Sequence, residues 1–390
     1  MNNDHENNGV PVLVSIVPDL VEGTGHVYDY HQSVGKAANL IGYKHLVATA
    51  PDAIVKTLPT NWNACLNSDK LEWEIPTILK VFRVKSIYDW AICLTTYLRQ
   101  DTISNSDHVV LFLERFVVSH LLAIILTLIL IPRNNLSVWL LYRRDVHNQK
   151  NRSIYKILNI LIKSILPAKK FQLITDSELL SKSLCNYFDM SVNVLPIPHT
   201  EIIDNNDNLS KPTNKIICWW VGSPREEKGL NIIKSLASEV CKSANQIHLL
   251  MAKSSRIGAV SGGVTIELIQ DTLTRLEYLQ WLSNCDICLM PYNTFDYRER
   301  TSGVFVECVI AGKIPLVTSN TWMASELSKY KLEELIINWE YPNIVMEKII
   351  KYNQDSHIRE KLELMQRQYK SLHSLQGYAN KMQMIFENNL

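Results

Sequence analysis

The sequence predicts an α/β chain of two doubly wound domains, and three observations carry that reading. Its 390 residues exceed one ordinary domain and fit two of about 150–200 residues each. Short, almost continuously apolar runs alternate with longer stretches of helical spacing, as in a parallel sheet covered on both faces. That rhythm halts at a polar, proline-flanked segment near the middle of the chain and then restarts.

In the first half, Val10–Val17 (VPVLVSIV) is the first strand, followed by Lys44–Thr49, Val109–Glu114, Leu136–Tyr142, Phe171–Thr175 and Val192–Ile197. Between the first two, Val34, Ala37, Ala38 and Ile41 share one helical face. Ligand-binding loops in such a sheet lie at the C-terminal ends of its strands. Pro196-Ile197-Pro198 and the Asn-, Asp- and Ser-rich run after it cannot build a core, so 198–214 reads as a linker between a domain at 1–197 and one at 215–372. The second domain opens on Lys215–Val221 (KIICWWV) and a helix over Gly229–Ser243. Strands at Ile247–Ala252, Val264–Ile269, Asp286–Met290 and Ile314–Thr318 follow, then a charged helical stretch from Asn343 to Leu372. A last helix, from Gly377 to Glu387 within 373–390, is expected to pack back on the first domain.

Composition excludes several classes. Hydrophobic residues at 46% and charged residues at 20% rule out a disordered chain, a collagen-like fibre and a disulfide-stapled scaffold. Forty Lys and Arg against 39 Asp and Glu leave +1, so no global field recruits nucleic acid and none is expected as a partner. The amino terminus (MNNDHENNG) lacks the basic and apolar regions of a signal peptide, and the eight cysteines sit mostly in apolar runs, which points to reduced thiols in the cytoplasm. Phe116–Ile131 (FVVSHLLAIILTLILI) would make a helix of about 24 Å, short of the roughly 30 Å of a bilayer core, so a buried or interfacial helix is expected. Cys285 and Cys288, three apart on an expected strand, should point to opposite faces and serve the core rather than a metal.

Two segments carry candidate chemistry. In Trp219–Leu230 (WWVGSPREEKGL) a strand ends at Val221, a loop runs from Gly222 to Glu227, and Lys228-Gly229 opens a helix. Such a loop turns backbone N–H groups and the positive end of a helix toward an anion, with Arg225 as a planar fork and Lys228 as a point charge. A solvated turn, with Arg225 and Lys228 paired to Glu226 and Glu227, fits the same residues. In Tyr297–Val317 (YRERTSGVFVECVIAGKIPLV), Glu299 and Glu307 form E-x7-E around Thr301-Ser302-Gly303. A helix beginning near Ser302 leaves Glu299 in the loop before it and places Glu307 inside it. The N–H groups of 302–304 then lie where a diphosphate would sit, with a carboxylate for hydroxyl groups on either side. Otherwise Glu299 pairs with Arg298 or Arg300 and Glu307 is a surface residue. Against that, Glu307 is embedded among Val304, Phe305, Val306, Cys308, Val309 and Ile310, where a carboxylate needs a partner.

Taken together with Leu273–Tyr278 (LTRLEY) and Leu282–Tyr292 (LSNCDICLMPY), these motifs resemble the GT-B glycosyltransferases of family four over most of 215–330. Over 10–195 the resemblance is one of architecture. It implies two Rossmann-like domains facing each other across a cleft. It further implies retaining, metal-independent transfer of a sugar from a nucleotide-diphosphate donor to a glycan or lipid-linked acceptor, in cell-surface polysaccharide or glycoconjugate biosynthesis. By that resemblance Lys228 neutralises the diphosphate and Glu307 binds the ribose. Glu299 meets the donor sugar, and Ser302, Gly303 and Val304 cradle phosphate beside Arg300 and Thr301. The family's Gly-Arg pair reads Gly222-Ser223 here, so the duty passes to Arg225. The chain contains no Asp-x-Asp pair, and no metal or other cofactor is expected. A nucleotide-sugar-binding partner of another transferase, a phosphorylase and an epimerase are the rival readings.

The first domain should hold the acceptor. Asp19–Tyr30 (DLVEGTGHVYDY) resembles the family's glycine-bearing loop, with Gly23, Thr24 and Gly25 approaching the ligand and His26 meeting the acceptor. As G-x-G-x-x-G it is incomplete, because Tyr28 replaces the third glycine. RRDVHN after Leu136–Tyr142 puts Arg143, Arg144, Asp145 and His147 at a strand end, with His147 expected to orient a hydroxyl and Glu114 a second candidate of that kind. A lone histidine also fits a structural role. From Arg143 to Lys170 eight basic residues face one acid, Asp145, with Ile154, Ile157, Leu158, Leu161 and Ile165 between them. This amphipathic segment either rests on anionic lipid at the inner face of a membrane or packs on the core with a solvated basic back.

Overall fold

The computed structural model describes residues 9–18, 20, 26–51, 58–67, 71, 80–132, 134–144, 151–198, 215–240, 242–258 and 263–387. Gly23, Thr24, Gly25, Asp145, His147 and most of the expected linker lie outside them, as does the side chain of His26. The chain divides into two units, Met1–His199 with Leu375–Leu390, and Thr200–Ser374.

Unit 1 is built on a seven-stranded parallel sheet. Its strands are β1 (Val12–Val17), β2 (Lys44–Thr49), β3 (Trp62–Ala64), β4 (Val109–Leu113), β5 (Leu136–Leu141), β6 (Phe171–Thr175) and β7 (Val192–Val194), in the order β3-β2-β1-β4-β5-β6-β7. Strands β1, β4 and β5 are buried along their whole length, which is why they read as unbroken apolar runs. The crossover helices are α1 (His26–Leu40), α2 (Lys80–Leu98), the short α3 (Asp101–Ser104), α4 (Val118–Leu130), α5 (Arg152–Ile165) and α6 (Glu178–Phe188). Alternate strand residues feed two cores. Val12, Val14, Leu111 and Val138 pack under α2, α4, α5 and α6 with Trp90, Ile124, Leu158 and Leu184. On the other face Leu13, Val110, Phe112 and Trp139 pack with Val34 and Ala37 of α1.

Unit 2 has six parallel strands, β8 (Ile216–Trp219), β9 (Ile247–Ala252), β10 (Thr265–Ile269), β11 (Ile287–Met290), β12 (Ile314–Thr318) and β13 (Ile336–Ile337), ordered β10-β9-β8-β11-β12-β13. Around them run α7 (Leu230–Ser238), α8 (Arg275–Asn284), the short α9 (Thr294–Tyr297), α10 (Gly303–Ile310), α11 (Trp322–Lys329), α12 (Pro342–Gln354) and α13 (Ser356–Leu372). In both sheets the order reverses beside the first strand, at β1/β4 and at β8/β11, the switch point at which such sheets bind ligands. The last helix, α14 (Leu375–Glu387), belongs to unit 1: Tyr378, Met382 and Phe386 complete the α1-side core, and the Phe386 ring stacks 3.9 Å from that of Tyr43.

Several boundaries differ from the sequence reading for identifiable reasons. The charged stretch after residue 342 is two helices, because the Asp355 carboxylate accepts from the N–H groups of His357 and Ile358 and so caps a new helix. The helix expected over Gly229–Ser243 ends at Ser238, where Glu239 turns extended. The apolar segment forms α4, its Thr127 hydroxyl donating to the Ala123 carbonyl at 3.0 Å and its His120 ring accepting from the Val117 N–H at 3.2 Å. No helix among the described residues is long and apolar enough to cross a membrane. Contrary to expectation, the sulfurs of Cys285 and Cys288 approach to 3.8 Å. Strand alternation does not apply to them, because Cys285 is the C-cap of α8 and β11 begins only at Ile287. Cys288 and burial push the Cys285 thiol well up, as suits a core residue.

Candidate functional site

At the C-terminal end of β8 the backbone passes through Gly222, whose φ of +89° suits glycine. A Cβ there would lie 2.8 Å from the Lys228 ammonium, so the missing side chain is what lets Lys228 fold over the strand end. The lysine Nζ donates to the Val221 carbonyl at 3.5 Å and lies 5.6 Å from the centre of the Tyr292 ring. Its own backbone is fixed by the Trp220 indole, which donates to the Lys228 carbonyl at 3.0 Å, while the Asn293 N–H donates to the Glu227 carbonyl at 3.0 Å. Gly229, at φ +84°, touches β11's exit so closely that a Cβ would sit 2.2 Å from the Pro291 carbonyl oxygen.

Lys228 is pushed down to about 8, by burial first and then by the positive charges of Arg225 and Arg300, against the opposing charge of Glu227. Arg225 pairs with Glu227 at 2.9 Å, not with Glu226, whose carboxylate accepts from Asn231. The Arg300 guanidinium lies 5.2 Å over the Tyr297 ring, which in turn is 4.5 Å from that of Tyr292. Tyr292 also faces Ser302 and Arg225. Ser302 is the N-cap of α10, its hydroxyl accepting from the Phe305 N–H at 3.3 Å. Three cations and the opening turn of α10, with Gly303 and Val304 half-buried in it, therefore gather around one tyrosine pair. Cations gathered beside a helix N-terminus suit an anion, with Arg225 already sharing its charge with Glu227.

Glu307 lies one turn into α10 and is only 6% exposed. Its partners are Arg275, whose Nη1 donates to Oε1 at 2.6 Å, and Tyr278, whose hydroxyl donates to Oε2 at 2.6 Å. Both come from the first turn of α8, which a Thr274–Glu277 capping box holds in place. Sequence reasoning required a partner for Glu307 but did not identify these two. The signal was present in LTRLEY, where Arg and Tyr three apart share a helix face. Glu299, Arg300 and Thr301 occupy the loop between α9 and α10, all half-buried.

Unit 1 has its own charged cluster at the ends of β4, β5 and β6. Arg143 bridges two carboxylates, bonding Glu114 Oε1 through Nη1 and lying 3.3 Å from Asp176 Oδ2 through Nε. The His31 ring is 3.5 Å from Glu114, and the Arg143 guanidinium lies 4.5 Å over the Tyr30 ring. The Tyr30 hydroxyl is 3.2 Å from that of Tyr378 in α14. Glu114 is thus a buried member of an ion-pair network, whereas Arg144 is exposed. His31, Tyr30, Asp176 and Tyr378 were not anticipated. Each strand end carrying a charged residue was the available cue. Among the described residues no group of three or more His, Cys, Asp or Glu side chains is placed to hold a metal ion.

No protein-family model and no curated protein sequence matches the chain. Solved structures do match. A glycosyltransferase from Rickettsia africae aligns over 97% of this chain and 98% of its own, with TM-score 0.69 and 13% identity. The N-terminal domain of trehalose-6-phosphate phosphatase from Candida albicans aligns over 100% and 99%, with TM-score 0.66 and 11% identity. HepE from Anabaena, solved in complex with UDP and glucose, aligns over 96% and 99%, with TM-score 0.63 and 10% identity. At such identities the likeness is one of fold, and this chain has the two-domain α/β architecture of the GT-B glycosyltransferases.

Proposed function

We propose that the chain is a retaining, metal-independent glycosyltransferase that moves a sugar from a nucleoside diphosphate to a glycan or lipid-linked acceptor, in polysaccharide or glycoconjugate biosynthesis. The observation that carries this reading is Lys228, packed among Arg225 and Arg300 beside the N-terminus of α10. Breaking the bond from the anomeric carbon to the β-phosphate oxygen leaves negative charge on the phosphate. Cations and backbone N–H groups already in place stabilise that charge more in the transition state than in the ground state. They supply the positive charge for which other transferases use a metal. The acceptor hydroxyl attacks the anomeric carbon from the leaving-group side and gives its proton to the departing phosphate, which retains configuration. Glu307 accepts ribose hydroxyls through lone pairs left over by Arg275 and Tyr278. The nucleotide sugar as donor is in keeping with the UDP and glucose found in HepE.

The test is transfer from a panel of nucleotide sugars with inorganic phosphate excluded. A new glycoside should form with the native chain and be lost in Lys228→Ala and Glu307→Ala. Transfer that persists in both variants defeats the proposal. Ser223, where the family carries arginine, favours a second reading in which the chain binds nucleotide sugar without turning it over. Tight binding with neither transfer nor hydrolysis would select that reading.

A further inference from the structure

Helix α5 carries more aliphatic surface than its packing uses. Tyr155, Leu158, Asn159 and Ile162 face the core of unit 1. Ile154, Ile157, Ile160 and Leu161 do not: they are 42%, 57%, 47% and 43% exposed. At about 100° per residue these four share one face, and Arg152, Lys156 and Lys163 fall in a strip about 40° wide between it and the core face. Helix α4, packed beside α5, adds exposed Leu122, Ile129 and Leu130. Neither helix contains an acidic residue. Past their C-terminal ends lies a surface hollow of about 530 Å³, formed by Ile131, Pro132, Asn134, Ile165, Leu166 and Pro167 and lined by polar and apolar atoms alike.

A solvated helix back would be polar, and a patch of this kind marks a contact surface. Charge selects the occupant. In a chain of net charge +1, the charged residues that α4 and α5 themselves place beside this face are all cations, so a second copy would set like charges against each other. A sheet of anionic headgroups over an acyl boundary matches both strips at once. We propose that α4 and α5 form a seat for an anionic lipid bilayer. Ile154, Ile157, Ile160 and Leu161 enter the acyl boundary, and Arg152, Lys156 and Lys163 meet headgroup phosphates. The inference is independent of the transfer reaction.

The test is flotation of the full chain with phosphatidylcholine vesicles, with and without phosphatidylglycerol. Binding should require phosphatidylglycerol and weaken as salt is raised. Ile157→Glu with Leu161→Glu should abolish it, and Lys156→Gln with Lys163→Gln should lower it by about fivefold per charge removed. Ile157, Leu161 and Lys163 are exposed, whereas Lys156 is half-buried with its ammonium 5.6 Å from the centre of the Tyr187 ring. The unfolding midpoint of Ile157→Glu with Leu161→Glu should match the native chain, and Lys163→Gln alone, also at native stability, should still lower binding. Failure to bind phosphatidylglycerol vesicles at low salt overturns the proposal, as does binding indifferent to both pairs of substitutions. Self-association in sedimentation that Ile157→Glu with Leu161→Glu abolishes, without vesicle binding, assigns the face to a second copy instead.

Discussion

Arg275 reaches from the first turn of α8 to Oε1 of Glu307 in α10, 32 residues on, and closes a 2.6 Å charged hydrogen bond. With Tyr278 on Oε2, each oxygen of this buried carboxylate has a donor. Arg275→Ala should therefore destabilise unit 2 by about 1–3 kcal/mol, the cost of leaving a buried acceptor short of a charged partner. The figure stays below that of a fully buried pair because the Arg275 side chain keeps 32% exposure. Arg275→Lys should fall between, since it keeps the charge without the planar fork. Urea denaturation measures both, and a neutral Arg275→Ala would mean that Glu307 is held by other contacts.

The lowered value of Lys228 has two consequences of opposite sign. In the unfolded chain its ammonium titrates near 10.5, in the folded one near 8. Between those values the unfolded chain binds the extra proton, so this group's contribution to stability rises with pH across the window and is least below 8. Bound diphosphate reverses the local balance by favouring the ammonium. Nucleoside diphosphate binding should then take up protons near pH 8, and affinity should fall from pH 7 to pH 9. Calorimetric titration in two buffers of different ionisation heat reads the uptake, and Lys228→Met should remove it. Affinity flat from pH 7 to 9 would take Lys228 out of the site.

Gly222 and Gly229 both occupy the left-handed region, yet their substitutions should separate. An alanine Cβ at 229 meets the Pro291 carbonyl at 2.2 Å, and backbone cannot move aside cheaply. Gly229→Ala should cost about 2–4 kcal/mol, strain and displacement combined. At 222 the obstacle is the Lys228 Nζ at 2.8 Å, the free end of a flexible chain. Gly222→Ala should cost about 1–2 kcal/mol of backbone strain and weaken nucleoside diphosphate binding by displacing the ammonium. Thermal unfolding beside a binding titration distinguishes the two. Equal loss of stability in both would contradict the assignment.

What was legible in the sequence was local. Strands β1, β4 and β5 announced themselves because burial on both faces makes them continuously apolar. Strands β3 and β13, with three and two residues, are too short to show any period. The loop from Gly222 to Gly229 and the cap at Ser302 could be read because each is a contiguous run whose chemistry is set by its own backbone. Through-space pairings could not. Glu307 demanded a partner, but Arg275 is 32 positions away on another helix, and Glu114 meets Arg143 across 29 positions and two strands. Cys285 and Cys288 show the converse: strand alternation does not govern them, because Cys285 ends a helix.

Arg143 gives the sharpest test of the unit 1 network. Its guanidinium serves Glu114 and Asp176, both under a tenth exposed, so Arg143→Ala leaves two buried carboxylates without it. Removing one member of a buried ionic group typically costs about 3–5 kcal/mol, far more than the group's net worth. The sign of the pH response then inverts. Carboxylates buried without that cation bind protons more readily than in the unfolded chain, so the variant should gain stability as pH falls from 7.5 toward 5, where an acidic shift ordinarily weakens ion-paired proteins. The triple variant Glu114→Gln, Arg143→Met, Asp176→Asn removes all the charges together and should recover most of the loss. Unfolding midpoints at pH 5 and 7.5 for the native chain and the two variants decide it. If Arg143→Ala were no less stable than the native chain, or the triple variant no better than the single one, the bridge would be an incidental surface contact rather than the support of the three strand ends.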